Sequence, residues 1–352
     1  VQTALSGPSA GVMGAVYIAE AAGFKDIITY DMGGTSTDVS LVKDGIAEYT
    51  TKRKVCGLPS GVPMIDVHAV GAGGGSIAQI DNAGALKVGL GNENPVVTDA
   101  NLVLGRINPH YVLGGRLKID AELSKKAVKK KIADSMGIGT EEAALGIVKV
   151  VNSNMARAIR VITVEKGHNP SDFTLVAYGG AGPLHAVHLA QEMGIRTVLI
   201  PPAPGALCAL GLLTADIKKS YVRTAIASYD EMTPEQINAV MSSLRDEGSA
   251  WLDSEKVPSE RRKFHGIAEM RYVGQNYELQ VEIPTENITV SDIEKMKQDF
   301  FVAHEKNYGY YNPNAPVQFV NFRCEATGIV KKPNLAELET TLDDPSKAEI
   351  GR

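Results

Sequence analysis

Residues 27–42 constrain the fold more than any other stretch of the sequence. The run from Ile27 to Tyr30 is apolar and rich in β-formers, which predicts a buried strand that ends at Asp31. Gly33 and Gly34 permit a turn in which backbone N–H groups approach a ligand with no Cβ in the way. The run Val39 to Val42 then predicts a returning strand, so the stretch is expected to form a tight hairpin.

This hairpin would carry an acid at its edge and a ring of amides and hydroxyls at its tip. Such a tip suits phosphate oxygens, with Asp31 placed to hold a magnesium ion through water. The candidate ligand-binding residues of the tip are Gly33, Gly34, Thr35 and Ser36. The alternative is an ordinary hairpin in which Asp31 only satisfies turn amides. The whole string from Asp31 to Asp38 between two strands is more specific than an isolated Asp-x-Gly-Gly, which favours the nucleotide interpretation.

A second glycine-rich corner follows another predicted strand. Phe173 to Tyr178 is apolar, and Gly179, Gly180 and Gly182 lead into a predicted helix that runs to Met193. A strand, a glycine turn and a helix N-terminus together form an anion- or nucleotide-binding corner. On this helix His185 and His188 are three residues apart, a spacing that metal sites use, but without a third ligand in view we expect surface or supporting histidines.

A third candidate group lies between the two corners. If residues 64–70 form a strand, Asp66 and His68 lie on the same face. Together with Asp31 they are the candidate catalytic residues. Asp66 and His68 could act as a base with an orienting group or as two metal ligands, and the alternative is a structural pair with satisfied hydrogen bonds. The glycine-rich segment Gly71–Ser76 after them is expected to line a substrate or phosphate pocket.

Composition excludes several classes of function. With 44% apolar and 22% charged residues the chain is typical of soluble globular proteins, and its net charge of −5 argues against a nucleic-acid partner. No apolar run approaches the roughly 20 residues of a membrane helix, so no membrane partner is expected. Cys56, Cys208 and Cys324 are widely separated, which fits a cytoplasmic protein without disulfide bonds or a thiolate zinc site.

The order of the predicted elements indicates an α/β fold in two domains. We predict a first domain over residues 1–218 with an insertion at about 84–139, and a smaller α+β domain over 219–352. Other expected elements of the two domains are a helix over 8–22, a strand over 46–55, helices over 120–136 and from Thr140 to about 166, a helix capped at Thr233, a helix capped at Ser291, and a closing strand over 317–329.

Three ordered motifs together resemble the hydantoinase A family, which includes N-methylhydantoinase, 5-oxoprolinase and the nucleotide-binding subunits of acetone and acetophenone carboxylases. The motifs are Asp31–Asp38, Ile65–Ser76 and Val176–Ala186. The resemblance covers most of residues 1–220 and is weaker in the last third. It implies a ribonuclease-H-like ATPase half-domain, of the superfamily that contains actin, sugar kinases and chaperone ATPases.

The resemblance also implies roles for the site residues. The Asp31 hairpin would hold the β- and γ-phosphates of ATP with Mg²⁺, and the Gly179 corner would hold the adenosine and α-phosphate. Glu165 and Lys166 would reach the ribose or base. ATP would phosphorylate the carbonyl oxygen of a cyclic amide or a ketone, which prepares it for hydrolysis or carboxylation.

Two further partners follow from the resemblance. The superfamily fold has two similar halves around the nucleotide, and here the glycine–aspartate hairpin occurs once. We therefore expect a missing N-terminal half, without which the chain would hydrolyse ATP poorly, and a second subunit like hydantoinase B. The alternative function from another class is a non-catalytic, nucleotide-gated ATPase or activator module.

Overall fold

The chain divides into two compact units between Ala215 and Asp216. The structure is a computed structural model, and it describes residues 6–50, 53–55, 58–60, 64–81, 84–89, 94–112 and 114–333. Cys56 and the outer ends of both predicted domains, residues 1–5 and 334–352, lie outside the described residues.

The first unit is built around a mixed sheet in the order β12-β11-β1-β2-β3, with β8 also pairing to β2. Strands β1 and β2 form the predicted antiparallel hairpin, while β11 lies parallel to β1 on its other side. The strands of this unit are β1 (Ile27–Met32), β2 (Thr37–Lys43), β3 (Ile46–Ala47), β4 (Tyr49–Thr50), β5 (Arg53–Val55), β6 (Leu58–Ser60), β7 (Met64–Ile65), β8 (Val67–Val70), β9 (Ile77–Ile80), β10 (Leu86–Gly89), β11 (Thr174–Tyr178) and β12 (Val198–Leu199).

Helices cover both faces of this sheet because its strands are apolar on both sides. The helices of the first unit are α1 (Ser6–Ala21), α2 (Val97–Val103), α3 (Ala121–Val128), α4 (Asp134–Met136), α5 (Thr140–Ile162), α6 (Gly182–Met193) and α7 (Leu207–Thr214). Tyr30 and Met32 of β1 pack in one buried cluster with α5 and α6, whereas Ile27 joins α1 and Leu207 in a second cluster. Alternation along β1 thus gives each face its own core.

The predicted insertion is part of the main core. Val97 of α2 and Val128 of α3 are fully buried in the same cluster as α5. A π-helical turn over residues 129–133 joins α3 to α4, so the helix predicted over 120–136 is confirmed. The single strand predicted over 46–55 is wrong, because the chain there is divided into β3, β4 and β5, and β4 pairs with β7 instead of continuing the main sheet.

The second unit is an antiparallel sheet with two helices on one face. Its elements are β13 (Ile217–Ser228), α8 (Pro234–Ser254), β14 (Arg262–Tyr272), β15 (Leu279–Ile283), α9 (Val290–Tyr308) and β16 (Val317–Gly328), with the strand order β13-β16-β14-β15. Ile237 of α8, Phe300 of α9 and Phe322 of β16 are fully buried together. This confirms the closing strand and the α+β character expected for the last third.

The two predicted caps of this unit had different outcomes. Thr233 caps α8 in a capping box with Gln236, as the sequence predicts. The cap predicted at Ser291 is wrong by two residues, because Thr289 accepts the hydrogen bond from the backbone N–H of Asp292. Among the described residues, none of the helices combines the length and the apolar character that a membrane crossing requires.

Helices α1 and α7 approach each other closely at glycines. A Cβ added to Gly211 would collide with the carbonyl oxygen of Ala10 and lie 2.6 Å from its carbonyl carbon. A Cβ on Gly14 would lie 2.7 Å from the carbonyl oxygen of Leu207. Because the obstructing atoms are backbone, neither contact can be relieved by a side-chain rotation.

We therefore expect Gly211→Ala to lower the free energy of unfolding of the first unit by about 2–3 kcal/mol, since the two helices must move apart. Gly205→Ala is the matched control because a Cβ there has nothing within 4 Å. Urea unfolding followed by circular dichroism measures both variants. Equal stability of the two variants would contradict the expected backbone collision.

Candidate functional site

Asp31 lies near the end of β1, where three strands meet. It is opposite Asp38 of β2 and opposite Tyr178 of β11 in the sheet register. The glycine turn that follows each of these strand ends is therefore brought to the same edge of the sheet. The hairpin tip, which ends at Ser36, and the corner that begins at Gly179 are 143 residues apart in the chain, yet they lie together at this edge.

The Gly179 corner touches Asp31 directly. Gly179 has φ +81°, and a Cβ there would overlap the Asp31 carboxylate and lie 2.5 Å from the Met32 carbonyl oxygen. The amide of Ala181 donates to that same oxygen at 2.9 Å. Both the positive φ and the close approach require glycine at position 179. The expected adjacency of the two corners is present in the structure.

Some backbone amides at the hairpin tip donate hydrogen bonds within the protein and others do not. The N–H of Gly33 closes the turn by donating to the Ser36 carbonyl at 3.0 Å. The N–H groups of Gly34, Thr35 and Ser36 donate to no other described residue. Gly34 and Thr35 are also exposed, so their amides are open to a ligand.

The amides of Gly180 and Gly182 are likewise without an acceptor in the described part of the chain. Gly182 is the first residue of α6, where backbone N–H groups point out of the helix and carry a partial positive charge. Two loops beside Asp31 therefore carry unpaired N–H groups. Those of Gly34, Thr35 and Gly180 belong to exposed residues, whereas Gly182 is buried. Such a set binds anionic oxygens well.

Three glycines of residues 71–76, namely Gly73, Gly74 and Gly75, support the hairpin tip. The amide of Gly74 donates to the Gly33 carbonyl at 3.0 Å, and that of Gly75 donates to the Gly34 carbonyl at 2.6 Å. A Cβ on Gly73 would lie 2.6 Å from Gly34 backbone atoms. We call Gly73–Gly75 the buttress. The amides of Gly74 and Gly75 are thus used within the protein, and that of Gly73 donates to Ser76 Oγ at 2.8 Å. The pocket-lining role expected of the segment stays a prediction.

Cys208 is a site residue that sequence reasoning missed. Its thiol on α7 lies 3.4 Å from Asp31 Oδ2 and donates its proton to that oxygen. Burial, and next the negative charge of Asp31, raise the pKa of Cys208 to about 12, so the thiol stays protonated. Burial also raises the pKa of Asp31, and the thiol hydrogen bond partly offsets that rise. No local pattern marks Cys208, because only the packing of α7 brings it to a strand 177 residues away.

Asp66 and His68 lie away from Asp31. Ala69 pairs with Asp38, which pairs with Asp31, so these three residues share a face and His68 lies on the other one. Asp66 is three residues before Ala69, about 10 Å back along the strand direction. The sheet therefore separates His68 from the Asp31 carboxylate. Asp66 lies between β7 and β8, so the single strand assumed over residues 64–70 is interrupted there and the register does not extend to Asp66.

Lys166 binds carboxylates in this structure. Its Nζ lies 2.7 Å from Asp66 Oδ2 and 2.6 Å from Glu48 Oε2. Burial alone would lower the pKa of Lys166, but the two hydrogen bonds outweigh it and raise the pKa. Glu165 is exposed on the short 3-10 turn beside it. The ribose or base contact expected of Glu165 and Lys166 stays a prediction.

His185 lies behind the Gly179 corner and is fully buried. Its Nδ1 is 2.8 Å from Asn152 Oδ1, and its Nε2 is 3.2 Å from Asn101 Nδ2. Burial, and next the charge of Arg106, lower the pKa of His185 from 6.5 to about 4, so the ring is neutral at physiological pH. His188 is exposed on the same helix.

The arrangement fits a nucleotide with a magnesium ion. Free amides from two loops suit phosphate oxygens, and one carboxylate lies between them. In the described part of the chain there is no cluster of three or more His, Cys, Asp or Glu side chains that would hold a metal. Mg²⁺ commonly uses one or two protein carboxylates with phosphate oxygens and water, which suits Asp31.

Comparison with known proteins gives consistent matches. A sequence model described as hydantoinase/oxoprolinase matches residues 1–221. The caprolactamase subunit alpha of Pseudomonas jessenii is 35% identical over 96% of the chain, and the chain spans 51% of that relative. The crystal structure of the ATP-dependent caprolactamase from that organism has a TM-score of 0.74 at 34% identity, covering 95% of this chain and 51% of the other.

A nucleotide-free structure of acetone carboxylase, solved in work on ATP-dependent acetone carboxylation, is also similar. It has a TM-score of 0.76 at 27% identity and covers 93% of this chain and 50% of that one. The chain thus spans about half the length of the relatives it matches. The resemblance drawn from the three sequence motifs is confirmed.

His185 makes the stability of the first unit depend on pH. The unfolded chain binds a proton on this residue below about pH 6.5, whereas the folded chain binds it only near pH 4. The free energy of unfolding should therefore fall as pH drops from 6.5 to 4, by up to about 3 kcal/mol. His185→Leu should remove this component, and the exposed His188→Gln should keep it.

Urea titrations at several pH values, followed by circular dichroism, measure this dependence. Trp251 is the only tryptophan and lies in the second unit, so its fluorescence reports that unit separately. An unchanged slope in His185→Leu would contradict the assignment of this pH dependence to His185.

Proposed function

The chain belongs to the hydantoinase/oxoprolinase family, and on that premise we propose that it is the nucleotide-binding part of an ATP-dependent enzyme that activates a carbonyl group. The observation that carries this proposal is the contact between the Asp31 strand end and the Gly179 turn, with free amides on both sides. A single polyphosphate can reach both loops only because they meet at one edge of the sheet.

We assign the first domain, residues 1–218, to the ribonuclease-H-like ATPase half-domain that the motifs imply, and residues 219–352 to the second domain. The mixed α/β architecture supports this assignment, with an antiparallel β1–β2 hairpin beside parallel β11. In this fold the nucleotide lies between two similar halves. The proposed partners are the other half of this fold and a second subunit. The relative from Pseudomonas jessenii is an alpha subunit, which supports a hetero-oligomer.

Each group of the site has a proposed role. The amides of Gly34, Thr35 and Ser36 hold the terminal phosphates, and Asp31 orients the water shell of Mg²⁺. The amides of Gly180 and Gly182 hold the inner phosphate. The bound nucleotide supplies the phosphoryl group that makes a carbonyl carbon electrophilic. Fixed N–H donors act strongly here because they need no reorganisation as charge moves between the phosphate oxygens.

A small cyclic amide or a ketone is the proposed substrate. Caprolactamase is named for a cyclic amide and acetone carboxylation for a ketone, so the relatives support both classes. These relatives are enzymes, which weighs against a non-catalytic nucleotide-gated module. Phosphate release from ATP, measured with a lactam alone and with a ketone plus bicarbonate, distinguishes hydrolysis from carboxylation.

We expect Asp31→Asn to weaken magnesium-dependent ATP binding by roughly 10- to 100-fold, because it removes the charge that orients the hydrated ion. Asp44→Asn is the matched control. Asp44 is an exposed aspartate with φ +53°, a conformation that asparagine tolerates, at the other end of β2.

Calorimetric titration of ATP with and without Mg²⁺, on the full-length gene product that contains this sequence, measures both variants. Equal affinities of Asp31→Asn and Asp44→Asn in the presence of Mg²⁺ would rule out the proposed role of Asp31.

A further inference from the structure

Three buried polar side chains meet behind the glycine corners, and each comes from a different helix. Asn101 lies on α2, Asn152 on α5 and His185 on α6, with 2%, 6% and 0% of their surface exposed. His185 is hydrogen-bonded to both asparagines, at 3.2 Å to Asn101 and 2.8 Å to Asn152. We call these three side chains the histidine hub.

The orientation of the hub is fixed by its chemistry. Asn101 Nδ2 donates to the Val97 carbonyl oxygen at 3.2 Å as well as to His185 Nε2. Reversing the amide would place two carbonyl oxygens against each other, so Nε2 must be the acceptor. Nδ1 then carries the proton and donates to Asn152 Oδ1. A neutral histidine in one tautomer therefore fits both neighbours at once.

Two of these helices also hold the loops of the site. On α2, the amide and the hydroxyl of Thr98 both donate to the Gly74 carbonyl at 2.8 Å, in the buttress. On α5, Met155 Sδ lies 3.2 Å from the hydroxyl of Thr37, at the end of the hairpin tip. Both contacts lie within one helical turn of a hub residue.

The third helix begins at the second corner. α6 starts at Gly182, and His185 is three residues further, in its first turn. The backbone of Ala181, just before it, bonds to Met32 at the end of β1. The hub is thus the only buried hydrogen-bonded contact among described side chains that joins α2, α5 and α6 at one point.

We propose that His185 is a positioning residue that keeps the buttress and the first turn of α6 aligned with the Asp31 hairpin. Apolar packing alone holds helices at the right distance but tolerates small slides along their axes. The His185 ring forms directed hydrogen bonds to two other helices. A slide of α6 along its axis would lengthen both of these bonds, so the hub resists it. The consequence for nucleotide affinity rests on the proposed function, whereas the effect on loop order does not.

The main variant is His185→Leu, which removes both hydrogen bonds while filling most of the volume. The matched control is Leu189→Ala, one turn further on α6, which is also fully buried but whose apolar side chain forms no hydrogen bond with the hub. A second pair of variants tests the oxygen of residue 152 that accepts from His185 Nδ1. Asn152→Leu removes this acceptor, and Asn152→Asp keeps it. Urea unfolding gives the free energy of unfolding of each variant, so that exchange rates are compared between variants that have lost a similar amount of stability.

The first readout is amide hydrogen exchange over residues 71–76 and 179–184 without nucleotide. We expect exchange at least about tenfold faster in His185→Leu and Asn152→Leu than in Leu189→Ala, and near-normal exchange in Asn152→Asp. Equal exchange rates in His185→Leu and Leu189→Ala would overturn the proposal, because a loss of core packing alone would speed exchange equally in both variants.

The second readout is the ATP affinity of the full-length gene product with Mg²⁺. We expect binding about tenfold weaker in His185→Leu than in Leu189→Ala. Unchanged binding in His185→Leu, in a protein where Asp31→Asn loses binding, would overturn the positioning role. If neither the unsubstituted protein nor Asp31→Asn binds ATP with Mg²⁺, the proposed function fails and the exchange measurement alone decides the role of His185.

Discussion

The site depends on the direct approach of glycine backbone to the end of β1. Gly179 leaves no room for a Cβ beside the Met32 carbonyl oxygen, and Gly73 leaves none beside the backbone of Gly34. Both contacts join main-chain atoms whose positions are set by the sheet, so they fix the hairpin tip more tightly than side-chain packing would. The functional groups of the tip are accordingly amides, whose direction follows from the backbone alone.

These amides have two separate tasks. Those of Gly33, Gly74, Gly75 and Ala181 are bonded within the protein and hold the loops together. Those of Gly34, Thr35, Ser36, Gly180 and Gly182 donate to no described residue, and of these residues Gly34, Thr35 and Gly180 are exposed while Gly182 is buried. An unpaired exposed amide costs little in water and is a strong donor to an anion, so the amides that hold the loops together are not the ones proposed to bind phosphate.

Local sequence signals predicted the parts of the site that depend on local chemistry. Glycines after strands located both corners, and the Gly-Pro pair set the start of α6 at Gly182. Local signals do not reveal contacts that tertiary packing decides. Cys208 reaches Asp31 only through helix packing. The carboxylates that bind Lys166, those of Asp66 and Glu48, are 100 and 118 residues away in the chain. The strand predicted over 46–55 is interrupted because β4 pairs with β7, a partner that periodicity does not reveal.

The sheet also limits how Asp66 and His68 can take part in catalysis. Asp31 faces α7, while Asp66 contacts Lys166, just after the end of α5 on the opposite face. A small substrate cannot extend through a sheet. A ligand that contacts both Asp31 and Asp66 would therefore have to extend around the strand ends. Loop 71–76, which follows β8 and bonds to the hairpin tip, occupies that end. Asp66 shares the Lys166 ammonium with Glu48, an arrangement that fixes the residues after α5 against the sheet, and its expected catalytic role stays a prediction.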